Sequence, residues 1–239
     1  METPFRFKEF SIAQDKCAMK IGTDGVLLGA WTSISSEVNS ILDIGTGTGI
    51  IALMLAQRSF AEIVDAIEID EDAYEQAVDN FENSPWGDRL FCYHSAFDEF
   101  VEEMQDEKYD LIVSNPPYFP NTSASEITTS RETARSQASL PFEELLHGVS
   151  LLLSATGTFS IVIPKEEEST ILEIAASNKL FPIKITEVKG TETAKVKRSL
   201  ITFQFFQKEI DRDVLILEES RHNYTAEYKR MVAPFYLKL

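Results

Sequence analysis

From residue 40 onward, short apolar runs alternate with segments of helical length, and this alternation restricts the fold more than any other feature of the chain. Residues 41–44 form an apolar run that ends in a glycine turn, and residues 48–58 carry Ile50, Ile51, Leu53, Met54 and Leu55, an apolar helical set. Residues 63–69 read as a second strand, and residues 70–82 as an exposed helix with Ala73, Ala77 and Phe81 inward. A strand at 90–93, an acidic helix at 97–104 and a strand at 109–114 follow. Beyond them come a helix at 142–153, a strand at 158–163, a helix at 166–178 and strands near 183–188 and 200–206. Such repetition means βαβ units, and right-handed crossovers make an open, mostly parallel sheet with helices on both faces. The last two strands are too close in sequence for a helical crossover, so they should pair antiparallel. Residues 115–139 have no period and are rich in Ser, Thr, Asn and Pro, the pattern of a long functional loop.

The glycine turn carries the first chemistry. Leu42-Asp43-Ile44-Gly45-Thr46-Gly47-Thr48-Gly49 is strand, then turn, then helix start, where backbone can approach a ligand and helix N–H groups are open. A dinucleotide fingerprint would need glycine where Ile50 stands, and no phosphate-loop lysine follows. Asp43, two residues ahead of the first glycine, suits a ligand with an ammonium group and disfavours a pyrophosphate. Glu68 ends the second strand 23 residues after Gly45, placed to accept hydrogen bonds from ribose hydroxyls. Together they point to S-adenosylmethionine. Directly after the fourth strand comes Asn115-Pro116-Pro117-Tyr118. Two prolines remove donors and leave carbonyls open, Asn115 adds an amide oxygen, and Tyr118 adds an aromatic face. At the carboxyl edge of the sheet this set suits a planar amine.

The charge is −17 overall, against a general polyanion binder, but unevenly placed. Residues 1–120 hold 7 Lys+Arg against 23 Asp+Glu, while residues 121–239 hold 15 against 16. Lys195, Lys197 and Arg198 stand out as a local basic run. Cys17 and Cys92 are isolated, and His94, His147 and His222 are dispersed, which argues against disulfides and a metal centre and fits a reducing cytosol. No apolar run is long enough for a membrane span, and the N-terminus has no secretory signal.

The glycine turn followed by Asn-Pro-Pro-Tyr resembles the class I S-adenosylmethionine-dependent methyltransferases that modify exocyclic or amide nitrogens. Phe7-Lys8-Glu9-Phe10, Gln14-Asp15 and the stretch from Met19 through Trp31 narrow this, as do Arg221 through Tyr224 and Phe235-Tyr236-Leu237. They resemble the bacterial methyltransferases acting on the adenine at position 37 of valine tRNA. The resemblance spans essentially the whole chain. It implies an α/β, Rossmann-like fold, a mostly parallel seven-stranded sheet with its last strand antiparallel. It implies one domain over residues 1–239, with residues 1–39 packing on the cofactor site and residues 115–139 as the substrate loop. S-adenosylmethionine would be held by Lys20, Thr23, Asp43, Gly45, Thr46, Gly47, Glu68, Ile69, Ala96, Phe97 and Asn115. Asn115, Pro116 and Tyr118 would be catalytic. Arg131, Arg135, Lys195, Lys197 and Arg198 would contact tRNA, with Lys229 and Arg230 on the same face. No metal and no obligate protein partner is implied. Ala96 departs from the acid that members often carry there, and Ala134-Arg135-Ser136 from their Ala-Arg-His. A glutamine-amide methylase shares the tetrapeptide but carries a helical domain ahead of the glycine turn. A catalytically silent nucleic-acid-binding module is the other alternative, and the intact tetrapeptide argues against it.

Overall fold

The computed structural model describes residues 3–17, 19–117 and 140–238. A short hairpin, β1 (Phe5–Arg6) and β2 (Ser11–Ile12), leads to α1 (Thr23–Trp31). Then come β3 (Ser40–Ile44), α2 (Ile50–Arg58), β4 (Ile63–Glu68), α3 (Glu71–Glu82), β5 (Leu90–His94), α4 (Phe97–Glu103) and β6 (Tyr109–Ser114). After residue 140 follow α5 (Phe142–Leu152), β7 (Leu153–Pro164), a 3-10 turn (Lys165–Glu167), α6 (Glu168–Ser177), β8 (Phe181–Lys189) and β9 (Val196–Gln204). The chain continues through β10 (Asp211–Ile216), a second hairpin of β11 (Glu218–Ser220) and β12 (Asn223–Tyr224), and α7 (Ala226–Val232).

The central sheet has eight strands in the order β10-β8-β9-β7-β6-β3-β4-β5. β9 runs antiparallel to both neighbours, and every other pairing is parallel. Ile41, Leu42, Leu111, Ile112 and Val113 are all fully buried, as a parallel sheet covered on both faces requires. One core unites Val26, Leu28, Leu53, Ala77, Phe81 and Val232, so α1, α2, α3 and α7 share a face. The other unites Phe97, Val101, Leu145, Val149 and Ile171, which places α4, α5 and α6 opposite. Among the described residues no helix is long and apolar enough to cross a membrane.

Three elements depart from the sequence expectations. The sheet has eight strands rather than seven, so β9 is not its last strand in the chain. β10 opens with Asp211-Arg212-Asp213, and its first four residues are exposed; an edge strand needs little apolar surface, so the pattern hides it. α1 is buried from Gly25 through Ala30, nearly all round, so it lacks the polar stripe by which a surface helix is recognised. β7 begins at Leu153, five residues ahead of the expected 158, where a register shift against β6 interrupts the ladder. β8 and β9 pair antiparallel, as the short connection demands.

Candidate active site

β3 delivers the glycine turn to the carboxyl edge of the sheet. The amides of Gly45 and Thr46 both donate to the Ile67 carbonyl at 3.0 Å, which holds the turn against the end of β4. Gly47 has φ +57 and no atom within 4 Å of where a Cβ would stand. A side chain there would be strained and would project into the space above the turn. The Gly47 amide donates to Glu68 Oε2 at 2.8 Å, and Glu68 Oε1 accepts from the amides of Ile69 at 2.9 Å and Asp70 at 3.0 Å. Burial raises the Glu68 carboxyl above its usual range against the pull of these three bonds. Fixed in this way, Oε2 keeps a lone pair for a ligand hydroxyl, while Oε1 already accepts two amides.

Asp43 lies elsewhere than expected. Alternation along β3 points it away from Leu42 and Ile44, under α2, where it is fully buried. Its Oδ2 accepts from Thr46 Oγ1 at 2.6 Å and from the Ala52 amide at 3.2 Å, and Oδ1 has no partner. Burial pushes this carboxyl up to about 7, opposed by the Thr46 and Ala52 bonds. Neither Asp43 nor Thr46 lines the cavity; they brace the turn from below. The unpartnered buried oxygen is what a cationic ligand above the turn would compensate, so the donor set fits S-adenosylmethionine.

A cavity of about 330 Å³ opens at this edge, inside the range of small-molecule sites. It brings together Gly45, Gly47, Glu68, Ile69, Ala96, Phe97, Asn115 and Pro116, eight of the residues expected. Ser114 donates to the Ile44 carbonyl at 3.0 Å and so locks β6 to β3 where Asn115 begins. Lys20 and Thr23 do not line the cavity. Thr23 starts α1, and a Cβ on Gly25, in the same turn, would stand 3.8 Å from Asn115 Nδ2. Tyr118, Arg131 and Arg135 lie outside the described residues, as does the expected loop from residue 118 on.

Sequence reading missed several wall residues. Cys17 and Met19 come from the segment ahead of α1, and Asp98 from the first turn of α4. Where Ala96 supplies no acid, Asp98 supplies one to the same cavity two residues later. Asn80 explains the position of the N-terminal segment: its Nδ2 donates to the carbonyls of Ala13 and Thr48 at 2.9 Å, and its Oδ1 accepts the Ala13 amide at 2.8 Å. Gln76 adds an acceptor for the Lys16 amide at 3.1 Å. The available signal was two amides on the inward stripe of α3, among Ala73, Ala77 and Phe81.

The basic run divides. Lys195 and Lys197 are exposed, whereas Arg198 Nε donates to Asp24 Oδ2 at 2.8 Å, tying β9 to the first turn of α1. Arg198 is therefore an ion-pair partner rather than an open phosphate ligand. Lys229 reaches Asn223 Oδ1 at 3.3 Å, and Arg230 lines a hollow with Trp31 and Lys184. That hollow adjoins the C-terminal end of α1, the end remote from Asn115, so Arg230 lies off the expected face.

One antiparallel strand in an otherwise parallel sheet, with a glycine turn and an acid-ended strand opening onto a shared cavity, is the architecture of class I S-adenosylmethionine-dependent methyltransferases, and this chain is one. A solved structure of a predicted O-methyltransferase from Agrobacterium tumefaciens has the same fold, with a TM-score of 0.71 and 19% identity over 89% of this chain and 96% of that one. The family model of the methyltransferase small domain matches residues 23–167. A Christiangramia forsetii protein named tRNA1(Val) (adenine(37)-N6)-methyltransferase is 62% identical over 99% of this chain and 98% of its own. A Flavobacterium psychrophilum protein of the same name is 56% identical over 98% of this chain and all of its own. The chain belongs to the tRNA1(Val) (adenine(37)-N6)-methyltransferase family.

Proposed function

We propose that this protein transfers the methyl group of S-adenosylmethionine to the 6-amino group of adenine 37, beside the anticodon, in a valine tRNA. The observation that carries this reading is that Asn115 and Pro116 open onto the same cavity as Gly47 and Glu68, in a chain collinear with relatives of that name. When bound, S-adenosylmethionine supplies an electrophilic methyl on a sulfonium. Glu68 would accept a ribose hydroxyl, Ile69 and Phe97 would hold the adenine, and Asp43 would offset positive charge from beneath the turn. The Asn115 side-chain oxygen and the Pro116 carbonyl each accept one N–H of the target amine, turning its lone pair toward the methyl. Tyr118 stacks on the base. Rate then comes mainly from proximity and orientation. No base is required beforehand, since the amine becomes acidic only once it carries the methyl. The target must leave its stack, which an anticodon-loop base does more cheaply than a paired one. Lys195 and Lys197 take phosphates. The enzyme works in the cytosol without an obligate protein partner.

Incubation of an unmodified valine tRNA transcript with labelled S-adenosylmethionine, followed by nucleoside mapping, tests the proposal. Label in N6-methyladenosine at position 37, lost when that adenine is replaced by guanine, is the expected result. Label elsewhere, or none, would refute it.

A further inference from the structure

The hairpin that follows β10 has no place in the catalytic reading, yet it stands on the catalytic edge. β10 runs parallel to β8, and both end on the side where β3 and β6 end. β8 lies three strands from β6 and β10 four, so at about 4.8 Å per strand the turn at 190–195 and the hairpin stand roughly 14 and 19 Å along the edge from Asn115. This is the side away from β4 and β5, where the cofactor half of the cavity lies and where Asp70, Glu71, Asp72 and Asp98 cluster. A polynucleotide with one base at Asn115 is repelled from that acidic half and leaves toward β8 and β10.

We infer that the β11–β12 hairpin contacts the tRNA backbone through Arg221 and His222 at its tip, extending the surface begun by Lys195 and Lys197. The inference rests on the tRNA reading above. The hairpin is bonded to the β8–β9 turn, with the Leu217 amide on the Lys189 carbonyl at 3.0 Å and the Glu218 amide on the Gly190 carbonyl at 2.8 Å. Its own acids are engaged within the hairpin: Glu218 Oε1 accepts the His222 amide at 3.3 Å, and the exposed Glu219 accepts from Asn223 Nδ2 through Oε2 at 3.1 Å. Arg221 is exposed and has no partner among the described residues. His222 is exposed at φ +65, a turn conformation that glycine adopts more readily. The tight turn closed by Ser220 opposite Asn223 accounts for the positive φ, and it presents the Arg221 and His222 side chains to solvent. One carboxylate, Glu192, shares the neighbouring turn, whose cations Lys195 and Lys197 are likewise unpaired among the described residues.

Binding of an unmodified valine tRNA transcript, with KM for tRNA and the Kd of S-adenosylmethionine, tests this in Arg221→Gln and His222→Gly. Arg221→Gln should raise Kd and KM for tRNA about tenfold and lower the slope of log K against log salt by about one, with cofactor Kd unchanged. Glycine accepts the positive φ, so His222→Gly should melt at the same or a higher temperature while binding tRNA more weakly; a purely structural hairpin would not separate the two readings. If the wild type methylates the transcript and both variants keep its affinity and slope, the hairpin contact is refuted and adenine methylation stands. If the wild type fails to methylate the transcript, the underlying function is refuted and this inference with it.

Discussion

A carboxylate sealed from water with one oxygen bonded and the other bare is costly, and Asp43 is such a group. Its carboxyl, near 7 against an ordinary 3.8, holds a proton in the native state that the unfolded chain has already released. The stability this confers is present below pH 3.8 and is lost as pH rises to about 7; about three units correspond to on the order of 4 kcal/mol. Asp43→Asn keeps an acceptor for Thr46 and Ala52 but removes the ionisation. Without cofactor, the variant should therefore gain on the wild type at pH 8, with the difference shrinking toward pH 4 in urea titrations. In calorimetry the same variant should bind S-adenosylmethionine more weakly, because the buried charge that offsets the ligand's cation from beneath the turn is gone. Unchanged affinity would mean that Asp43 only braces the turn. Asn115 acts at the other wall. Asn115→Ala should slow single-turnover methylation by several kcal/mol of barrier, because the lost acceptor matters as charge develops on the amine, and should lower cofactor affinity far less. A variant with wild-type single-turnover rates would rule out the amine-holding role.

The glycine turn and the N-terminal segment work as one element through Asn80, whose single amide joins Ala13 to Thr48. Asn80→Ala would leave the Ala13 amide and the Thr48 carbonyl without their partner. A cost of about 2–4 kcal/mol in urea unfolding is expected, together with faster hydrogen exchange at Ala13 and Lys16. Unchanged protection at those amides would show that the segment is held by something else. The same scale explains what was legible. β3, β4 and β6 were readable because a buried parallel strand is a short, uninterrupted apolar run. The amphipathic α3 was readable from Ala73, Ala77 and Phe81. α1 was not, since Gly25 through Ala30 are buried on all sides, nor was β10, whose charged start fits an edge. The site followed the same division: Gly47, Glu68 and Asn115 sit in contiguous motifs at strand ends, while Cys17, Met19 and Asp98 reach the cavity only by folding.

Across the whole molecule the charge is ordered along one sheet edge. α3 and α4, rich in Asp and Glu, flank the β4–β5 end, and Lys195 and Lys197 stand beyond β7. Lys195→Ala with Lys197→Ala should weaken tRNA binding and lower the magnitude of the salt slope by roughly one to two, with cofactor binding unchanged. Arg198→Ala should leave that slope near wild type, since its partner is Asp24. The loss of that partly exposed pair should cost about 1 kcal/mol or less in stability. A slope that falls with Arg198 and not with the two lysines would reverse this assignment.

The amino-acid sequence by itself determined the layered α/β class, the glycine turn and the Asn-Pro-Pro edge, because each depends on side-chain periodicity and backbone freedom among residues close in the chain. Only the tertiary structure decided that Asp43 faces α2 rather than the cavity, that Asp98 lines the cavity near Ala96, and that Arg198 is paired. Asp24 and Arg198 are separated by 174 positions, and Ala13 and Asn80 by 67. Such partners meet because the sheet order brings distant strand ends to one edge, and no local pattern records which groups find each other there.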